Sequence, residues 1–178
     1  MILIVGLGNP GSKFNHTRHN TGFEALDFFA QKNGFPEFKN SKKHLALVAK
    51  KDDVVLVKPQ TFMNESGNAV KSLKMKAESL VVIHDDIDLE LGKLKISNGS
   101  GAGGHKGVES IINALGTKDF TRFKIGIATG EHKAEEVVLK KFAPGEQTIL
   151  QPVIEKTAQA LDYFIEHGLE KTMNEYNR

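Results

Sequence analysis

Apolar positions along this chain fall into two recurring patterns. Short continuous runs at Ile2–Val5, Val54–Lys58, Leu80–His84 and Phe123–Ala128 are rich in β-branched residues and predict strands covered on both faces. Leu45–Ala49 and Leu94–Ile96 predict two shorter strands. Between these runs the spacing becomes helical. Phe23, Leu26, Phe29 and Ala30 predict a helix over Thr21–Lys32, with Gly34 as its stop. Ala69–Lys76 and Val108–Leu115 predict two more. The longest runs from Gln147 to His167, where Leu150, Ile154, Ala158, Leu161 and Ile165 recur at three- or four-residue steps and Gly168 stands at the cap. Pro152 is expected in or near its first turn, or as a kink. No repeat, low-complexity tract or linker interrupts the alternation, so residues 1–178 are expected to form a single α/β domain.

Composition narrows the class. With 178 residues the chain can bury a sizeable core, and 39% apolar with 26% charged residues is ordinary for a soluble globular protein, unlike disordered or membrane chains. Met1–Leu7 is too short, and lacks the basic leader, to be a signal peptide or a membrane span, so no membrane partner is expected. There is no cysteine, which removes disulfides, thiolate nucleophiles, zinc–cysteine sites and iron–sulfur clusters and makes an intracellular compartment the simplest reading. The formal net charge of +2 is uneven: residues 1–130 carry a net +5 and residues 131–178 a net −3. This hints at a basic working surface in the first two thirds, although solvated lysines alone produce such imbalances.

Four segments carry candidate chemistry. The first, Gly6–Gly22, reads GLGNPGSKFNHTRHNTG and opens with G-x-G-x-x-G after a strand. A dinucleotide fold would place the third glycine in the helix, yet here polar and turn-forming residues follow Gly11 for ten positions. The first acids beyond the next strand, Asp52 and Asp53, lie about twice as far along as the roughly 20 residues expected for a ribose-binding acid. What the loop does offer is polar groups at a strand's carboxyl end: Asn9, Asn15, His16, Arg18, His19 and Asn20, two of them imidazoles able to move a proton near neutrality. The plainer alternative is a set of turn formers and surface histidines.

The second segment, Lys58–Gly67 (KPQTFMNESG), sets the apolar Phe62 and Met63 before Asn64, whose amide both donates and accepts; alone it reads as core plus a turn. The third, Leu80–Gly92 (LVVIHDDIDLELG), delivers His84, Asp85, Asp86 and Asp88 at a strand end. These acids do not follow the calcium-loop pattern and no H-E-x-x-H helix exists, whereas a carboxylate here can orient an imidazole and stabilise its protonated form. The fourth, Ser97–Gly107 (SNGSGAGGHKG), reads as a flexible lid whose amides could face phosphate, with Lys106 adding charge, but it is not a P-loop. No G-x-S-x-G elbow is present, so water activated by histidine is the economical nucleophile for a hydrolase.

In order and spacing, GLGNPGSKFNHTRHNTG, KPQTFMNESG, HDDIDLELGKLKI, GGHKGVESI and RFKIGIATG resemble the bacterial-type peptidyl-tRNA hydrolases, and the C-terminal MNEYN extends the likeness over essentially the whole chain. The resemblance implies a monomeric α/β fold with a twisted mixed sheet flanked by helices. It also implies hydrolysis of the ester joining a peptide to the 3′ end of tRNA, without metal or cofactor, in the cytoplasm. By motif match His19 is the general base, Asp85 supports it, and Asn9 and Asn64 position the substrate. Phe62 contacts the substrate beside Asn64, and the tRNA 3′ end and acceptor stem are the partner surface. Three departures stand out. Phe14 replaces a common tyrosine and loses its hydroxyl, Lys106 replaces a tRNA-contacting asparagine, and Lys124 with the Ala128–Gly130 stretch replaces arginine and glycine–proline. The competing readings are a non-hydrolysing RNA-binding module of the same fold, opposed by the intact His19, Asp85, Asn9 and Asn64, and a dinucleotide-dependent enzyme.

Overall fold

The computed structural model describes residues 1–74, 79–130 and 134–178. A seven-stranded mixed sheet comprises β1 (Ile2–Gly6), β2 (Lys39–Ser41), β3 (Ala46–Lys51), β4 (Val54–Pro59), β5 (Ser79–Glu90), β6 (Leu94–Asn98) and β7 (Thr121–Ala128), in the order β2-β3-β4-β1-β5-β7-β6. The central four strands, β4, β1, β5 and β7, are parallel, and antiparallel strands flank them on both sides. This explains the continuous apolar runs. Ile4, Leu56, Val81 and Ile83 face one core, and Leu3, Val5, Val57 and Val82 face the other.

Helices α1 (Thr21–Lys32) and α5 (Pro144–His167) fill the first core, through Leu26, Phe29, Ile154 and Leu161. Helices α2 (Ser66–Lys74) and α3 (Lys106–Leu115) fill the second, through Val70, Val108 and Ile111. Since α1 follows β1 and α3 lies between β5 and β7, the chain leaves adjacent parallel strands toward opposite faces. The carboxyl ends of β1 and β5 therefore border a topological switch point, where open α/β sheets hold their ligands. A short helix, α4 (Ala134–Val137), precedes α5, and α6 (Leu169–Tyr176) closes the chain.

Several boundaries differ from the sequence expectation, each for a local reason. β5 continues beyond His84 because β7 pairs with its backbone as far as Asp86 and again at Glu90, which requires no apolar side chain. Leu45 precedes β3, in a left-handed turn with φ of 51°. α5 begins at Pro144, which has no N–H to leave unbonded, so Pro152 lies well inside the helix rather than in its first turn. β2, α4 and α6 have no counterpart among the predicted elements. The expected helix end at residues 75–76 lies outside the described residues.

Candidate functional site

The loop after β1 makes two 3₁₀ turns, Ser12–Phe14 and Arg18–Asn20, before α1 starts. Gly11 therefore lies ten residues ahead of α1 and not within it. Gly22, in the first turn of α1, packs so tightly that a Cβ there would strike the Ile83 carbonyl and the Leu7 backbone. The G-x-G-x-x-G run thus ends in a loop instead of opening the helix, as a pyrophosphate site would require, and this opposes the dinucleotide reading.

That close approach sets His19 over the end of β5. Its Nδ1 lies 2.9 and 3.0 Å from the two Asp85 oxygens, and both residues are buried. A second imidazole, its ring centre 4.7 Å from that of His19, meets the same carboxylate: His105 Nε2 is 2.9 Å from Asp85 Oδ1. His105 is the N-cap of α3, and its Nδ1 accepts from the amides of Gly107 and Val108 at 3.1 and 3.3 Å. Its proton must then sit on Nε2 and be donated to Asp85, so both ring nitrogens are committed. His19 differs. Its Nδ1–H goes to Asp85, its Nε2 bonds to no described residue, and the residue lines a cavity.

The electrostatics follow from these contacts. Burial alone would push the Asp85 carboxyl up, but His105 and His19 hold it far below the usual carboxylate range, so it is ionised at any working pH. The ring centre of His84 lies 4.8 Å from that of His105 in an edge-on contact, and its Nδ1–H is donated to the Asp85 carbonyl at 2.7 Å. Burial, then His105, depresses its pKa well below that of a free imidazole, so it is neutral. His19, Asp85 and His105 are close enough to suggest a metal centre. The hydrogen bonds argue otherwise: His105 could present a lone pair from Nε2 only as an imidazolate, because Nδ1 already serves as acceptor.

The asparagines are placed by one another. Asn20 occupies the N-cap position of α1, yet its amide brackets Asn9 instead, accepting from Asn9 N at 2.8 Å and donating to Asn9 O at 3.0 Å. Asn9 Oδ1 accepts from Met63 N at 2.8 Å, which turns its NH₂ outward as a free donor. A network thus runs from Asn20, the residue after His19, through Asn9 to the 3₁₀ turn Met63–Glu65, where Asn64 is exposed. Phe62, immediately before it, is 60% exposed. Phe14 is half-buried in the first turn of the loop under Lys13. None of Asn9, Phe14, Phe62 or Asn64 lines the cavity of about 230 Å³ that opens beside His19. That cavity is bounded instead by the β5 end, Gly101–Lys106, Arg122, Lys124, Glu135 and Val138.

The loop expected as a free lid is tethered. The buried Arg122 donates to Ser100 Oγ and, at 2.8 Å, to Gly101 O, while Lys124 reaches Ser100 Oγ at 3.3 Å. His16, the other imidazole of the first loop, is exposed and turned to Glu24, 3.3 Å away. Sequence reasoning overlooked His105. Its position just ahead of the apolar helix at 108–115 marked it as a possible cap.

A family model described as peptidyl-tRNA hydrolase matches residues 3–178. The chain belongs to the peptidyl-tRNA hydrolase family. It is 46% identical to the peptidyl-tRNA hydrolase of Thermodesulfovibrio yellowstonii over the full length of both chains. With that of Syntrophomonas wolfei the identity is 40%, covering 99% of this chain and all of the relative. Among solved structures, peptidyl-tRNA hydrolase from Acinetobacter baumannii superposes with a TM-score of 0.90 at 31% identity, covering 99% of this chain and 94% of the other. The α/β architecture inferred from the alternating pattern is the architecture of this family. No helix among the described residues is long and apolar enough to cross a membrane.

Proposed function

We propose that His19 is the general base with which this peptidyl-tRNA hydrolase cleaves the ester between a peptide and the 3′-terminal ribose of tRNA. One observation carries the assignment: of the two imidazoles on Asp85, only that of His19 keeps a nitrogen free, and His19 lines the cavity. A water at Nε2 gives up its proton as its oxygen adds to the ester carbonyl carbon, and Asp85 stabilises the imidazolium that forms. Collapse of the tetrahedral adduct breaks the bond to the ribose oxygen, which takes the proton back from Nε2.

Asn9 offers its free NH₂ to a substrate carbonyl without adding a charge that titrates or repels phosphate. Asn64 presents a second amide, and Phe62 and Phe14 offer apolar faces to the substrate. Peptide recognition then rests on backbone groups, as suits an enzyme that must release every sequence. The tRNA 3′ end and acceptor stem are held through phosphates and the single strand. Lys106, exposed on the cavity rim, supplies a phosphate contact in place of an amide. No step calls for a metal, and the enzyme acts as a cytoplasmic monomer.

His19→Ala tests the reading. Hydrolysis of peptidyl-tRNA is expected to fall about 10²–10⁴-fold while tRNA affinity stays within a few-fold, and Asp85→Asn is expected to move in the same direction. Wild-type turnover by His19→Ala would remove His19 as the base.

A further inference from the structure

The segment that carries His19 is strapped to a distant part of the chain. Arg18 N donates to Lys140 O at 3.0 Å, His19 N to Val138 O at 2.8 Å and Phe142 N to His16 O at 3.4 Å, around an antiparallel bridge between Thr17 and Lys141. So short a ribbon specifies its own register poorly, because sliding by a residue exchanges one set of backbone bonds for a similar one. A slip would turn the side chains over and carry the His19 ring away from Asp85.

A side-chain pair spanning 128 residues of sequence holds the ribbon in place. Arg18 is 6% exposed, and its Nη2 donates to both carboxylate oxygens of Glu146 at 2.8 and 2.7 Å. The guanidinium carbon lies 4.7 Å from the centre of the Phe142 ring. Glu146 Oε1 also accepts from Ala143 N at 3.0 Å at the start of α5, so the longest helix is coupled to the residue just before His19. As a source of stability the pair is poor. It uses one nitrogen of the guanidinium, while Arg18 Nε and Nη1 are buried without a partner. Ion pairs with a buried member are often no more stable than apolar residues of the same size, and fixing register is the best-attested reason to keep one.

We propose that Arg18 and Glu146 are positioning residues for the general base: their ion pair sets the register of the 16–19 and 138–142 ribbon and so holds the His19 imidazole on Asp85. Neither residue touches the reacting atoms. The proposal rests on His19 being the base, so His19→Ala is carried through every measurement.

The test is the apolar double variant Arg18→Met/Glu146→Leu. Its melting temperature is expected to stay within a few degrees of wild type and its KM for peptidyl-tRNA within twofold, while kcat falls at least tenfold. The low-field NMR signal of the proton between His19 Nδ1 and Asp85, identified by its absence in His19→Ala, is expected to vanish or broaden. Arg18→Lys is expected to keep kcat within about threefold, since a single ammonium can supply the one nitrogen the pair uses. Wild-type kcat with an intact signal in the double variant would overturn the proposal, as would a rise in KM at unchanged kcat. If the double variant does not fold, Arg18→Met replaces it with the same two outcomes, because Glu146 is then partly exposed and still bonded to Ala143. Full activity in His19→Ala would instead refute the assignment of the base.

Discussion

Two glycine-rich segments border the site, one with Gly6, Gly8 and Gly22 from the end of β1 to the start of α1 and the other with Gly99, Gly103 and Gly104, and nothing in the sequence tells their glycines apart. Their surroundings are opposite. A Cβ on Gly6 would strike the Gly22 carbonyl, one on Gly8 the Phe23 ring, and one on Gly22 the backbone of β5 and of Leu7 just after β1. Around Gly99, Gly103 and Gly104 nothing lies within 4 Å of such an atom, and all three have left-handed φ, for example 58° at Gly103. Glycine at 6 and 22 lets backbones touch, whereas at 99, 103 and 104, as at Gly11 with its φ of 105°, it lets the backbone turn. The first arrangement presses the His19 segment rigidly onto β5. The other leaves an open loop, tied at Ser100, Gly101 and His105, as the outer wall of the cavity.

Substitutions separate these two roles. Gly22→Ala forces a methyl into backbone that cannot yield and is expected to destabilise the fold by about 3 kcal/mol, read by urea denaturation, with hydrolysis lost as the junction opens. Wild-type stability there would mean that the close packing is not required. The next largest effect is a pH dependence beneath the second loop. His84 has its folded pKa depressed by burial, so its contribution to stability is complete above its ordinary value near 6.5 and is lost as pH falls below it. Melting curves between pH 7 and 5 are expected to show that loss in the wild type and a flatter profile in His84→Phe. The same slope in both proteins would assign it to other groups. Asp85, whose pKa is also depressed, loses its contribution only in far more acidic solution.

Smaller effects are expected in the second loop itself. Gly103→Ala must hold a left-handed conformation and is expected to cost about 1 kcal/mol. Gly101→Ala, in open space and without left-handed φ, is expected to stay within about 0.5 kcal/mol of wild type. Equal costs at the two positions would show that the left-handed conformation does not govern this loop.

Much of the fold was legible because the central strands and main helices announce themselves locally. The α1 boundaries at Thr21 and Lys32 follow from three- and four-residue spacing, and β1 from an unbroken apolar run. β2 was not legible. Its Lys39–Ser41 has no apolar pattern and is a strand only because β3 pairs with it. The opposite edge is finished by Asn177, whose amide accepts from Ile96 N and donates to Ile96 O, both at 2.8 Å. No local pattern reports a partner 81 residues away.

The same division runs through the site. Residue order alone placed a histidine-bearing polar loop after one parallel strand and an acid cluster at the end of another, and the co-linear motifs singled out His19, Asp85, Asn9 and Asn64 within them. Which imidazole could be a base was decided by the tertiary structure. His19 and His105 share Asp85, and they differ only in that amides at the start of α3 occupy the second nitrogen of His105. A tautomer is set by hydrogen-bond partners, and for these two rings the shared partner lies 66 and 20 residues away along the chain.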